Sequence, residues 1–91
     1  MSTGQSATLA SVASSATSVN LFTTAGGGLA RVVFNDSTAV LYLKFGFTAS
    51  TVSHTVQIAA GGYYEFPQPL YLGNVDAVWA SANGSARLTS W

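Results

Sequence analysis

The sequence predicts an all-β domain, a small antiparallel β-sandwich or jelly-roll-like barrel with an extended N-terminal arm. Three observations predict it. About six to eight short apolar runs alternate with a period of two, the signature of strands that bury one face. Turn formers separate these runs roughly every 8 to 12 residues, the spacing of a sandwich or barrel. No stretch carries a helical period strong enough to compete. At 91 residues the chain has room for one such domain.

Residues 1–18 are low in complexity, small and uncharged, with Leu9 and Val12 the only large apolar side chains after Met1. A helix would line up Leu9, Val12, Ala13 and Ala16, but Ser and Thr compete for backbone hydrogen bonds, so an arm is expected, flexible or extended. It is either free in solution or ordered against a neighbouring subunit, with Leu9 and Val12 as its anchors. The β-domain then occupies residues 19–91.

Leu29 to Phe34 and Ala39 to Phe47 flank Asn35-Asp36-Ser37-Thr38, a cluster of turn formers, and read as a hairpin. In the second strand Ala39, Leu41, Leu43, Phe45 and Phe47 form the core face, while Val40, Tyr42, Lys44 and Gly46 form the reverse. Thr51 to Ile58 alternates again, with Val52, His54, Val56 and Ile58 on the apolar side. Tyr63 to Phe66 is a strand closed by Pro67-Gln68-Pro69, because proline cannot donate to a ladder. Leu70 to Leu72 is a short strand or edge. Val75 to Ala80 and Ser85 to Trp91 read as a hairpin across Asn83-Gly84, with Trp79 opposite Leu88 in the core and Asp76, Val78, Arg87, Thr89 and Trp91 on the reverse face.

Charge is the most informative part of the composition. Three basic and three acidic residues give 7% charged side chains and no net charge, where about 25% charged is ordinary. With 48% hydrophobic residues and no cysteine, such a chain has little to repel its neighbours and no disulfide to staple a thin core. A homo-oligomer is expected. Arg31, Lys44 and Arg87 are too few and too dispersed for phosphate binding, so nucleic acid is not an expected partner. The longest apolar runs fall short of the roughly 20 residues that span a bilayer, and no basic, apolar leader follows Met1. Neither a membrane nor a signal peptide is expected.

Chemistry has few places to sit. His54 is the lone histidine, and a metal would need partners from Asp36, Glu65 and Asp76 without any cysteine, so no metal or other cofactor is expected. No nucleophile motif appears, and Gly26-Gly27-Gly28 lacks the Lys-Ser/Thr of a phosphate loop and reads as a hinge. Asp36 is expected to cap its turn, and Glu65 and Asp76 to meet Lys44 or Arg87. No catalytic residue is assigned. Tyr63, Tyr64, Tyr71, Trp79 and Trp91 could stack on sugar rings, but core and subunit packing accounts for amphipathic rings of this kind more simply. The contact candidates are Val40, Tyr42, Val78 and Trp91, a second apolar face that a free sandwich does not need, together with Leu9 and Val12 of the arm.

The strings Asn35-Asp36-Ser37, Leu41-Tyr42-Leu43-Lys44-Phe45-Gly46, Thr55 to Glu65 (TVQIAAGGYYE) and Gly73 to Arg87 (GNVDAVWASANGSAR) together resemble small virion structural proteins of tailed bacteriophages and prophages. The resemblance covers about residues 29–91. It implies a non-enzymatic, β-rich component of the virion, similar to decoration or cement proteins that clamp a head lattice, with the major capsid protein or another virion protein as partner and a homotrimer favoured over a dimer. A tail, neck or fibre component is the alternative, and a carbohydrate-binding module for host attachment is the rival of another class.

Overall fold

The computed structural model describes residues 7–23 and 29–91. Residues 1–6 of the expected arm and the Gly26-Gly27-Gly28 hinge lie outside the described residues. Eight strands follow in order: β1 (Thr8–Ala13), β2 (Val19–Phe22), β3 (Arg31–Asp36), β4 (Leu41–Phe45), β5 (Val56–Ile58), β6 (Tyr63–Glu65), β7 (Val75–Trp79) and β8 (Ser85–Ser90).

They form two four-stranded sheets, sheet A in the order β1-β8-β3-β6 and sheet B in the order β2-β7-β4-β5, and every pairing is antiparallel. First pairs with last, second with seventh, third with sixth and fourth with fifth. That is a ribbon of strands rolled over on itself, the winding of an eight-stranded jelly roll. The all-β sandwich expected from the sequence is therefore present, with a definite strand order.

Two expected hairpins are absent. β3 lies in sheet A and β4 in sheet B, so Asn35 to Thr38 begins a crossing between sheets, and β7 and β8 are likewise split by the Asn83-Gly84 turn. Trp79 faces Leu41 in the ladder, and Leu88 faces Val33 and Ala10. Both side chains are nevertheless in the core, because the two sheets press their inner faces together. The strand expected over residues 51–58 is reduced to β5, and residues 70–72 form no strand. Gly46, at φ +131°, ends the alternation of β4 and leaves Phe47 exposed rather than in the core face.

β1, within the expected arm, is extended and pairs rung for rung with β8 of the same chain, from Thr8 opposite Ser90 to Ala13 opposite Ser85. Ser15 O then accepts from the Trp79 amide, which ties the connector to sheet B.

Among the described residues the buried polar side chains are Arg31, Asn35, Asn74 and Asp76. Asn35 is fully buried between the sheets. Its Nδ2 donates to the carbonyls of Ala39, Ile58 and Ala59, and its Oδ1 accepts from Trp79 Nε1 at 3.1 Å and from Ser37 Oγ at 2.7 Å. One amide thus joins β3, β5, β7 and the start of β4. At the other end the Arg31 guanidinium donates to the carbonyls of Tyr71, Gly73, Leu72 and Thr23 and lies 4.7 Å over the Phe22 ring. Burial pushes its pKa below the ordinary arginine value, with Tyr71 opposing the shift. Carbonyl dipoles and a ring face stabilise the buried cation in place of a carboxylate.

Candidate functional site

The outward side chains of the two sheets differ in what covers them. On sheet B, Tyr42 and Val78 are neighbours in register, as are Lys44 and Asp76. Residues 46–55 fold back over this face as a flap. Lys44 Nζ donates to Ser53 Oγ at 2.6 Å, Ser18 Oγ accepts from the Ala49 amide at 3.0 Å, and the His54 ring lies 5.0 Å from that of Tyr42. Ser50 and Ser53 bond each other's backbone and close the flap.

Val78 is consequently only 5% exposed. As a contact candidate it is corrected: the chain's own flap covers it, so it is not open to a partner. Tyr42 and Val40 are half-buried on the same side. The second apolar face inferred from the strand alternation thus has an occupant within the molecule.

Sheet A has no such cover among the described residues. Residues in register share a face, so its outer surface runs in rows across the strands: Leu9, Thr89, Val32 and Glu65, then Ser11, Arg87, Phe34 and Tyr63, then Ala13, Ser85 and Asp36. Leu9 is 74% exposed, Tyr63 69% and Phe34 37%. Trp91, whose amide and carbonyl continue the β8 ladder to Ala30, extends the same face and is also exposed. Of the contact candidates, Leu9 and Trp91 therefore meet on one surface, while Val12 points inward and packs against the core.

Phe34, Tyr63 and Val32, which share this face, are not among the contact candidates read from the sequence. Phe34 and Val32 sit in LARVVF, an apolar run that hides which alternate residues face out, and Tyr63 adjoins Tyr64, which packs inward. The signal was the alternation of β3 once Arg31 and Asn35 are recognised as inward residues.

Arg87 Nε donates to Asp36 Oδ2 at 2.7 Å on the open face of sheet A, an exposed pair of small energetic weight. Asp36 is thus the last residue of β3 paired across the sheet, rather than a turn cap. Asp76, expected to meet Lys44 or Arg87, instead accepts through Oδ1 from the amides of Asn20 and Asn74 at 3.2 and 2.8 Å. His54 Nδ1 donates to the Ser50 carbonyl at 3.1 Å, and Gln57 Nε2 lies 3.4 Å from its Nε2. A cleft of about 320 Å³ separates residues 16–18 from the flap, and its lining offers hydroxyls and methyls but no titratable side chain. Among the described residues no three His, Cys, Asp or Glu side chains gather as a metal site would require.

The aromatic residues divide as well. Trp79 is core, and Tyr64 and Tyr71 join Phe22, Phe45 and Phe66 in a cluster in which Phe45 and Tyr71 stack at 4.5 Å. Only Tyr63 and Trp91 of the rings considered for sugar stacking remain exposed. They sit opposite Phe34 and Ala30 respectively, roughly 13 Å apart along β3 at the rise of a strand. No family model, curated protein or solved structure matches the chain.

Proposed function

We propose that the chain is a non-enzymatic structural protein of a bacteriophage virion, a decoration or cement protein that binds the assembled head lattice as a homo-oligomer. Its partners on this reading are copies of itself and the major capsid protein or another virion protein. The observation that carries the reading is the open outer face of sheet A, where Leu9, Val32, Phe34, Tyr63 and Trp91 form an apolar surface whose charges are limited to Glu65 and the Arg87–Asp36 pair. A broad apolar face on a chain with no net charge is suited to protein contact.

The mechanism is mass action. A subunit that binds only the closed lattice stabilises that lattice by its binding free energy. Full burial of a side chain such as Leu9 contributes about 1.5 to 3 kcal/mol, and lattice repetition sums many such contacts. The jelly-roll winding supports the reading at the level of architecture, since viral capsid domains use it, as do lectins. Between these two, the separation of Tyr63 from Trp91 favours a protein partner over a single sugar ring. The phage assignment, and the trimer it favours, come from the sequence resemblance.

Cryo-electron microscopy of whole particles from the phage or prophage that encodes the chain tests the proposal. Density for the roll repeated over the head lattice, with sheet A against the capsid or a sister subunit, is the expected result. Density confined to the tail, neck or fibres, or particles without the chain, would overturn it.

A further inference from the structure

The four sheet edges are unlike. β2 carries a register shift between Asn20 and Phe22, β5 is three residues long, and β6 is three residues long, carries Glu65 and runs into Pro67. Bulges, short length, charge and proline are the devices that keep an edge from pairing. β1 has none of them. It spans Thr8–Ala13 without charge, proline or bulge, and its register to β8 is unbroken.

The direction of its free groups follows from the ladder. Ala30 and Trp91 exchange both hydrogen bonds, so on β8 every second residue from Trp91 back bonds β3, and Ser90, Leu88 and Ala86 bond β1. The Ser14 amide donating to Gly84 O continues that set. On β1, therefore, Thr8, Ala10 and Val12 turn their backbone groups to β8, while Leu9, Ser11 and Ala13 turn theirs to the open edge. Among the described residues nothing pairs with that edge.

We infer that the open edge of β1 pairs antiparallel with β1 of a second copy, about a two-fold axis at Ser11, joining two A sheets into one continuous sheet. This register sets Leu9 opposite Ala13 and Ser11 opposite its own copy, so every outward N–H and C=O of these three residues finds a partner. Shifting the axis to Ala10 or Val12 leaves some of them unpaired. Both faces also match: Leu9 meets Ala13 on the outer face and Val12 meets Ala10 on the inner, large against small. No charge on either strand opposes the contact, and the chain's zero net charge adds no repulsion. A partner of another kind would have to supply a strand of equal length; a second copy brings one already in place. The inference rests on the reading of the chain as a self-associating structural protein, and an isologous contact closes after two copies rather than three.

Light scattering coupled to gel filtration, with amide exchange by NMR, tests it on the full chain. The wild type should be a dimer in which the amides of Leu9, Ser11 and Ala13 are protected along with those of Ala10 and Val12. Ser11→Lys faces like charge with like across the axis, and should weaken dimerisation by up to about fivefold and expose the outward amides alone. Mixing it with Ser11→Glu should restore a mixed dimer. Ser11→Pro removes an N–H that the β1–β8 ladder does not use, and should give a folded monomer. A monomeric wild type, or outward amides that exchange freely in the wild-type oligomer, would overturn the inference. So would an oligomer indifferent to both Ser11→Lys and Ser11→Pro, and that last result would leave the structural reading itself standing.

Discussion

Asn35 and Trp79 form a buried polar join between the two sheets, and their consequences are local and measurable. Asn35→Leu removes the acceptor of Trp79 Nε1 and a donor to the Ile58 carbonyl, while the Ala39 carbonyl keeps Ser37 Oγ. Each buried group left unsatisfied costs about 1 to 3 kcal/mol, so urea denaturation should show a loss of about 2 kcal/mol or more. Trp79→Ala empties a site that is 1% exposed, and should cost about 3 to 5 kcal/mol in the same measurement. A loss below about 1 kcal/mol for either would contradict the placement. The burial of Trp79 was legible from alternation in VDAVWA. The role of Asn35 was not, because its partners lie on strands that only the complete roll brings together. Arg31 was hidden for the same reason: its carbonyl cage is assembled from residues 23 and 71–73.

At the scale of elements, turn chemistry marked where strands end but not which strands pair. Asn83-Gly84 fits a tight hairpin, and Gly84 does adopt a positive φ of 73°. It uses that freedom in a crossing between sheets. A Cβ on Gly84 would fall 2.2 Å from the Asp36 carbonyl oxygen, where the two crossings of the roll touch. Gly84→Ala should therefore lower the urea midpoint by more than the roughly 1 kcal/mol equivalent of an ordinary glycine replacement, and a neutral effect would contradict this packing. A second element escaped notice because alternation persists through residues 51–55 without a ladder. Lys44, Ser50 and Ser53 draw that stretch into the flap, which buries β7 on both faces. With Val78 covered, the exposed apolar surface passes to sheet A, of whose strands β3, β6 and β8 were legible in the sequence, whereas β1 lay in the segment expected to be an arm.

Among the described residues the molecule is a roll with one sheet face covered by its own flap, the other open, and the β1 edge unpaired. On the open face, Tyr63→Ser touches a side chain that is 69% exposed, so it should change folding stability by no more than about 0.5 kcal/mol, and Phe34→Ser, at a ring only 37% exposed, by about 1 kcal/mol, while both weaken attachment to particles. Co-sedimentation of the purified variants with particles stripped of the chain checks this, and unchanged attachment would move the contact elsewhere. Fold class was legible because periodicity and turn residues are local. Strand order and the identity of the open face were not, since both depend on which distant segments cover which surfaces. Self-association is the property on which the proposed function rests, and the molar mass of the wild-type protein in solution tests it most directly. Gel filtration with light scattering at micromolar concentration should return twice the chain mass of 9.4 kDa; a mass of three chains would reject the two-fold edge contact, and a mass of one chain would contradict the self-associating protein altogether.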